Sequence, residues 1–180
     1  MARFATRLPD GTVLMVGGES GGTAERYDLT AKSWSAAGTL QTPRSNHTAI
    51  LLHDGTVLVV GGGQGDASLA TVERYDPAKN TWATVAPLAV ARYGHSATLL
   101  TDGTLAVAGG KRNNATTEAS VERFDPATNA WTALPALNRA RTGHGAALIG
   151  GKLLVVGGET ASAKPTAEWY DPGTSGVCFA

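Results

Sequence analysis

Val57-Leu58-Val59-Val60-Gly61-Gly62 is followed, after a polar loop, by Thr71-Val72-Glu73-Arg74-Tyr75-Asp76-Pro77 and, six residues beyond the aspartate, by Trp82. The whole arrangement recurs. A glycine pair closes a short apolar run at Gly17-Gly18, Gly61-Gly62, Gly109-Gly110 and Gly157-Gly158, in steps of 44, 48 and 48 residues. Glu25-Arg26-Tyr27-Asp28 returns as Glu73-Arg74-Tyr75-Asp76, Glu122-Arg123-Phe124-Asp125 and Glu168-Trp169-Tyr170-Asp171. Trp34, Trp82 and Trp131 each stand six residues after their aspartate, and Val177 takes that place in the last copy. Motifs in fixed order at a fixed period predict four copies of one supersecondary unit.

Each copy reads as four short strands. In the second copy the first strand, His47-Thr48-Ala49-Ile50-Leu51-Leu52, is almost continuously apolar, which predicts burial on both faces. Asp54-Gly55 predicts a tight hairpin with positive φ angles, matched by Asp10-Gly11, Asp102-Gly103 and Gly150-Gly151. Val57–Val60 is the second strand, and alternation reappears in the third, Thr71–Tyr75. Asp76-Pro77-Ala78-Lys79-Asn80 is turn chemistry, and the fourth strand runs from Trp82 to near Pro87. No window carries a sustained helical period, so the chain reads as all-β. A four-stranded antiparallel meander every 48 residues or so predicts β-propeller blades at about 1–40, 41–88, 89–137 and 138–180. The first strand of each would line the central axis and the fourth would face solvent. Glycine pairs suit the place where neighbouring blades crowd together.

The apolar strand ending in Gly-Gly, the Glu-Arg-Tyr-Asp-Pro strand and the tryptophan six residues on resemble, in combination, the kelch repeat family over roughly residues 3–177. The histidine in the inner strands and the Asp-Gly turn resemble its bacterial variety. This resemblance implies a propeller, usually of more than four blades, that works as a binding module. In some relatives it implies instead a galactose oxidase-like copper enzyme or a sialic acid mutarotase. The oxidases need a paired Cys–Tyr and further histidine ligands, a set that cannot be placed here. The first copy is about three residues short and lacks the histidine, and the last lacks its tryptophan. Ragged ends predict a portion of a larger propeller, a truncated fragment without independent function, or a protomer that closes by pairing. They also predict apolar terminal faces prone to self-association.

Fifteen Lys and Arg balance fifteen Asp and Glu, so no broad basic face is expected for nucleic acid. A hydrophobic content of 42% excludes a disordered chain. The one cysteine, Cys178, excludes an internal disulfide and multi-cysteine metal motifs. No apolar run approaches the ~20 residues of a membrane span, and Met1-Ala2-Arg3-Phe4-Ala5-Thr6-Arg7 carries no secretory core. The compartment stays open, because larger bacterial kelch relatives are often extracellular. No cofactor is expected.

A residue present in every copy reads as architectural, and a residue present in one copy is free to be functional. By that rule the tryptophans and the Tyr27, Tyr75, Phe124, Tyr170 series are packing residues. His47, His95 and His144 suggest a metal, but equivalent sites on facing sheets lie about 10 Å apart, too far for shared zinc ligands. A bond to a neighbouring blade's backbone is the better expectation. Asp10, Asp54 and Asp102 belong to the repeated turns, and Gly61-Gly62-Gly63-Gln64-Gly65 lacks the helix that a phosphate cradle needs. Arg44, Arg92 and Arg141 stand three residues before the histidines. The loops that carry them should share one face with the loops after the glycine pairs, which differ in every copy: Glu19–Thr23, Gly63–Ser68, Lys111–Asn114 and Glu159–Lys164. Variable polar loops on a rigid scaffold are a usual place for binding. Arg92, Arg141, Gln64, Arg112, Asn113 and Asn114 are therefore the candidate contacts to a peptide, protein or glycan. The competing expectation is that the arginines pair with the Glu or Asp of strand three.

Overall fold

The computed structural model describes residues 3–18, 22–159, 167–173 and the backbone of 176–178. Strands β1 (Phe4–Arg7), β2 (Val13–Val16), β3 (Thr23–Asp28) and β4 (Ser33–Thr39) hydrogen-bond in that order into the first antiparallel sheet. The second sheet holds β5 (Thr48–Leu51) and β6 (Val57–Val60), then, after the β7 (Gly63–Gln64) and β8 (Ala67–Ser68) hairpin, β9 (Val72–Asp76) and β10 (Thr81–Val85). The third repeats this plan with β11 (Ser96–Leu99), β12 (Leu105–Ala108), the hairpin β13 (Lys111–Arg112) and β14 (Thr116–Thr117), β15 (Val121–Asp125) and β16 (Ala130–Leu134). β17 (Gly145–Ile149), β18 (Lys152–Val156), β19 (Ala167–Asp171) and β20 (Gly176–Cys178) complete the fourth. Each repeat yields one four-stranded sheet. The inner strands touch in sequence, β1 to β5 to β11 to β17, as blades around an axis do.

Apolar slabs between successive blades hold the sheets together. Leu14 and Val16 meet Val57, Val59 and Tyr75; Leu58, Val60 and Val72 meet Leu105, Val107 and Phe124; Ala106, Ala108 and Val121 meet Leu153, Val155 and Tyr170. Burying each such Val or Leu contributes about 1.5–3 kcal/mol. Trp82 stacks on Tyr75 with centroids 4.9 Å apart and donates its indole N–H to Ala37 O of the preceding blade at 2.7 Å. Trp131 does the same with Phe124, at 4.9 Å, and with Ala86 O, at 2.8 Å.

Two local expectations are corrected. The most buried strand is the second and not the first: all four residues of β6 are buried, whereas Ala49, Ile50 and Leu51 of β5 are half-buried. The inner strand packs Ala49 and Leu51 against one slab and Ile50 against the next, and each is only partly covered. The Asp-Gly turn is a three-residue loop, His53-Asp54-Gly55, closed by Leu52 N to Thr56 O at 2.8 Å, and Gly55 alone takes positive φ, +82°. Asp54 contributes its carboxylate instead, accepting from Thr56 N at 3.0 Å and Thr56 Oγ1 at 2.6 Å. The pair Gly150-Gly151 does place both residues at positive φ, +58° and +81°.

The glycine pair is a contact requirement. A Cβ on Gly61 would stand 2.6 Å from Arg92 O and 3.0 Å from the His95 ring in the next blade. Gly109 meets Arg141 O and the His144 ring, both at 2.7 Å, while Gly157 has nothing within 4 Å. Gly157 belongs to a face that no sheet covers among the described residues. Ile149 and Val156 lie there, 51% and 48% exposed. At the other end Trp34, stacked on Tyr27, is 54% exposed.

Candidate functional site

Arg44, Arg92 and Arg141 are wholly buried. Arg92 spends all its guanidinium N–H groups inside its own blade. Nε donates to Val90 O (3.2 Å), Nη1 to Gly109 O (2.8 Å) and Ser120 O (2.9 Å), and Nη2 to Ser120 Oγ (2.9 Å) and Glu122 Oε1 (2.8 Å). Glu122 also accepts Ala89 N at 2.7 Å and Val90 N at 3.1 Å, so it ties strand three to the loop entering the blade. Arg44–Glu73 and Arg141–Glu168 repeat the pair, each at 2.7 Å. The reading of Arg92 and Arg141 as ligand contacts is thereby corrected. Strand three supplies a carboxylate that draws each arginine inward, away from any ligand at the surface.

The histidines form a ladder between blades. His95 Nε2 lies 3.0 Å from Thr48 Oγ1 and His144 Nε2 lies 2.9 Å from Ser96 Oγ. The partner is a side-chain hydroxyl of the preceding inner strand and not the backbone. In the first blade Phe4 occupies the register of Thr48, since the two pair with Val16 and Val60 respectively. His47 therefore meets an aromatic ring, with centroids 5.0 Å apart, and neither of its ring nitrogens has a hydrogen-bond partner. Burial, with the neighbouring arginine adding to it, lowers the pKa to about 4 at His47, about 3 at His95 and about 4 at His144. No group of three or more His, Cys, Asp or Glu that could hold a metal ion occurs among the described residues.

In the second, third and fourth blades the loop entering the inner strand and the loop after the glycine pair do meet on one face. Backbone bridges join them: Ser45 to Gly63, Tyr93 to Lys111 and Thr142 to Glu159. Around the axis, Gly94 N donates to Asn46 O at 3.0 Å and Gly143 N to Gly94 O at 2.8 Å, linking three blades through one rim. Asn46 takes φ +52° here, a conformation in which asparagine is tolerated far better than branched residues.

Farther out, the two short hairpins are latched. Asn113 Oδ1 accepts from Ser68 N at 3.0 Å and Ser68 Oγ at 2.9 Å, and Asn114 Nδ2 donates to Asp66 Oδ1 at 3.0 Å. The Tyr93 hydroxyl donates to Asn114 Oδ1. Asn113 and Asn114 both take positive φ, as the central residues of the turn that Ala115 N closes on Arg112 O at 2.9 Å. Of the sequence candidates, Gln64, Arg112, Asn113 and Asn114 are exposed on this face, with Arg112 paired to Glu118 at 2.8 Å. The two asparagines are committed to the latch.

Inside the rim lies a groove of about 420 Å³, lined by Asn46, Tyr93, Gly94, Lys111, Thr142, Gly143, Gly158 and Glu159. A size of this order suits a short segment or a small molecule. The kelch motif matches residues 43–89, 91–138 and 140–175. The chain belongs to the kelch-repeat family. A solved structure described as the structure of YjhT has the same kelch-type propeller fold, with a TM-score of 0.78 at 15% identity. It covers 99% of this chain, which spans 68% of that one. Comparison with curated protein sequences gives no match.

This kelch face holds groove residues that the sequence candidates omit: Asn46, Tyr93, Lys111, Thr142 and Glu159. The signal for them exists. The bridge positions read Ser45 and Gly63, then Tyr93 and Lys111, then Thr142 and Glu159, so they vary between blades while arginine, histidine and glycine repeat. The opposite face carries Asp10, Asp54 and Asp102, each paired with an arginine of strand three, namely Arg26, Arg74 and Arg123. Residues 19–21 and 160–164 of the first and last variable loops lie outside the described residues.

Proposed function

We propose that this kelch chain is a non-catalytic binding module, and that the face carrying the groove and the latched hairpins receives a protein or peptide ligand, with a glycan as the second class. The observation carrying this reading is the contrast within one chain. Residues that build the blades repeat, and the bridge positions that line the groove, Tyr93 with Lys111 and Thr142 with Glu159, change from blade to blade on a scaffold hydrogen-bonded around the rim. Such preorganisation favours binding, because little side-chain freedom remains to be lost. The non-catalytic part is supported by the bonding of the histidines and aspartates, the residues best suited to acid–base work. His95 and His144 bond inter-blade hydroxyls, and Asp54 and Asp102 are held in turns with arginine.

Peptides selected from a display library against the folded chain test the reading through amide hydrogen exchange. Protection at residues 46, 93–94, 111–117 and 142–143 is the expected footprint. Protection confined to the turns at Asp54 and Asp102 would reject it.

A further inference from the structure

Within the groove, Lys111 is a cation with no counter-ion among the described residues. Its neighbour Arg112 is paired with Glu118, and Arg44, Arg92 and Arg141 are paired with buried glutamates. Lys111 lies half-buried on the groove wall and forms no ion pair among the described residues, although Glu159 lines the same groove. An ammonium group at a groove wall gains from a carboxylate brought to it, because water screens the pair less than at an open surface. Tyr93 stands beside it. The two backbones exchange both hydrogen bonds, at 3.1 and 2.9 Å, and the latch to Asn114 fixes the tyrosine hydroxyl. Gly143 has open space where a Cβ would be, which lets a bound chain approach closely.

We propose that Lys111 makes this groove a receptor for an acidic side chain of an extended peptide, seated beside Tyr93. The peptide then runs outward over the β7–β8 and β13–β14 hairpins. This rests on the binding-face reading and adds the ligand chemistry. A peptide is favoured over a small acid because the groove opens onto a preformed polar platform of paired hairpins, with Gln64 and Arg112 exposed at its edge. A small acid would use the groove and leave that platform idle. Glu159 and Asp66 supply negative points for a basic or hydroxylated residue flanking the acidic one.

The test pans a random dodecapeptide library against the full chain and measures the affinities of the enriched peptides by fluorescence anisotropy. Asp or Glu should be enriched at one position. Lys111→Ala should weaken binding by ~10- to 100-fold, the value of a charged hydrogen bond, and Lys111→Glu should turn the enrichment towards Lys and Arg. Gln64→Ala should cost a few-fold. Binders weakened by Tyr93→Ser but indifferent to Lys111→Ala would overturn the acidic assignment and leave the binding face standing. Binders indifferent to both, or no binder at all, would overturn both readings. Lys111-dependent binding of galacturonate without any enriched peptide would overturn the peptide assignment.

Discussion

Arg92 Nη2 and Glu122 Oε1 meet at 2.8 Å with the guanidinium fully buried, and every other donor of that arginine is satisfied within the same blade. Removing one partner from such a pair leaves an uncompensated charge away from water. Glu122→Ala is expected to destabilise the fold by about 3–5 kcal/mol and also frees Ala89 N and Val90 N. Urea unfolding checks this. A loss under 1 kcal/mol would mean that the pair does not hold the blade.

The His95–Thr48 contact joins blades, whereas His47 has no polar partner. His95→Leu should cost about 1–3 kcal/mol by stranding the Thr48 hydroxyl. His47→Leu, which strands nothing and removes two unsatisfied nitrogens, should cost far less. Equal losses in thermal denaturation would contradict the ladder.

Stability should fall with acid in a defined window. The folded pKa values of His47, His95 and His144, about 4, 3 and 4, lie below the ordinary 6.5. The unfolded chain therefore takes up protons first as pH drops. Their stabilising contribution is complete above pH ~6.5 and declines towards pH 4, by up to about 1.4 kcal/mol per pH unit for each proton. The hydrogen bond from Thr104, with Arg123 also contributing, lowers the Asp102 pKa below 3.8, so its loss begins only at lower pH. Urea titrations at pH 7, 6 and 5 should show the decline, and His95→Leu should reduce it. A flat profile would contradict it.

The slab between blades was legible because its residues recur in register: Val57, Val59, Tyr75 and Trp82 foretell Leu105, Val107, Phe124 and Trp131. Burial of the inner strand was misjudged, since an apolar run does not reveal how completely its neighbours cover it. The arginines misled for a different reason. Arg92 finds its carboxylate 30 residues away, at Glu122, and only folding shows which loop arginine turns inward. Their strict repetition was the available sign, the same one that assigns the tryptophans to packing. Tyr93 and Lys111 lie 18 positions apart and become neighbours through a single bridge.

Open terminal faces should associate. Trp34→Lys and Val156→Lys place charge on the two exposed apolar faces and should lower the apparent mass in light scattering at high protein concentration without lowering Tm. Unchanged scattering would mean that these faces are not sticky. Iodide should quench Trp34 before Trp82 and Trp131.

The division between repeated scaffold and variable groove is tested most directly by a substitution scan read twice, for Tm and for affinity towards one selected peptide. Changes at Glu73, Glu122 and Glu168 should lower Tm, and changes at Lys111, Gln64 and Glu159 should lower affinity at constant Tm. Affinity lost at Asp54 and Asp102, with Lys111 neutral, would contradict the account.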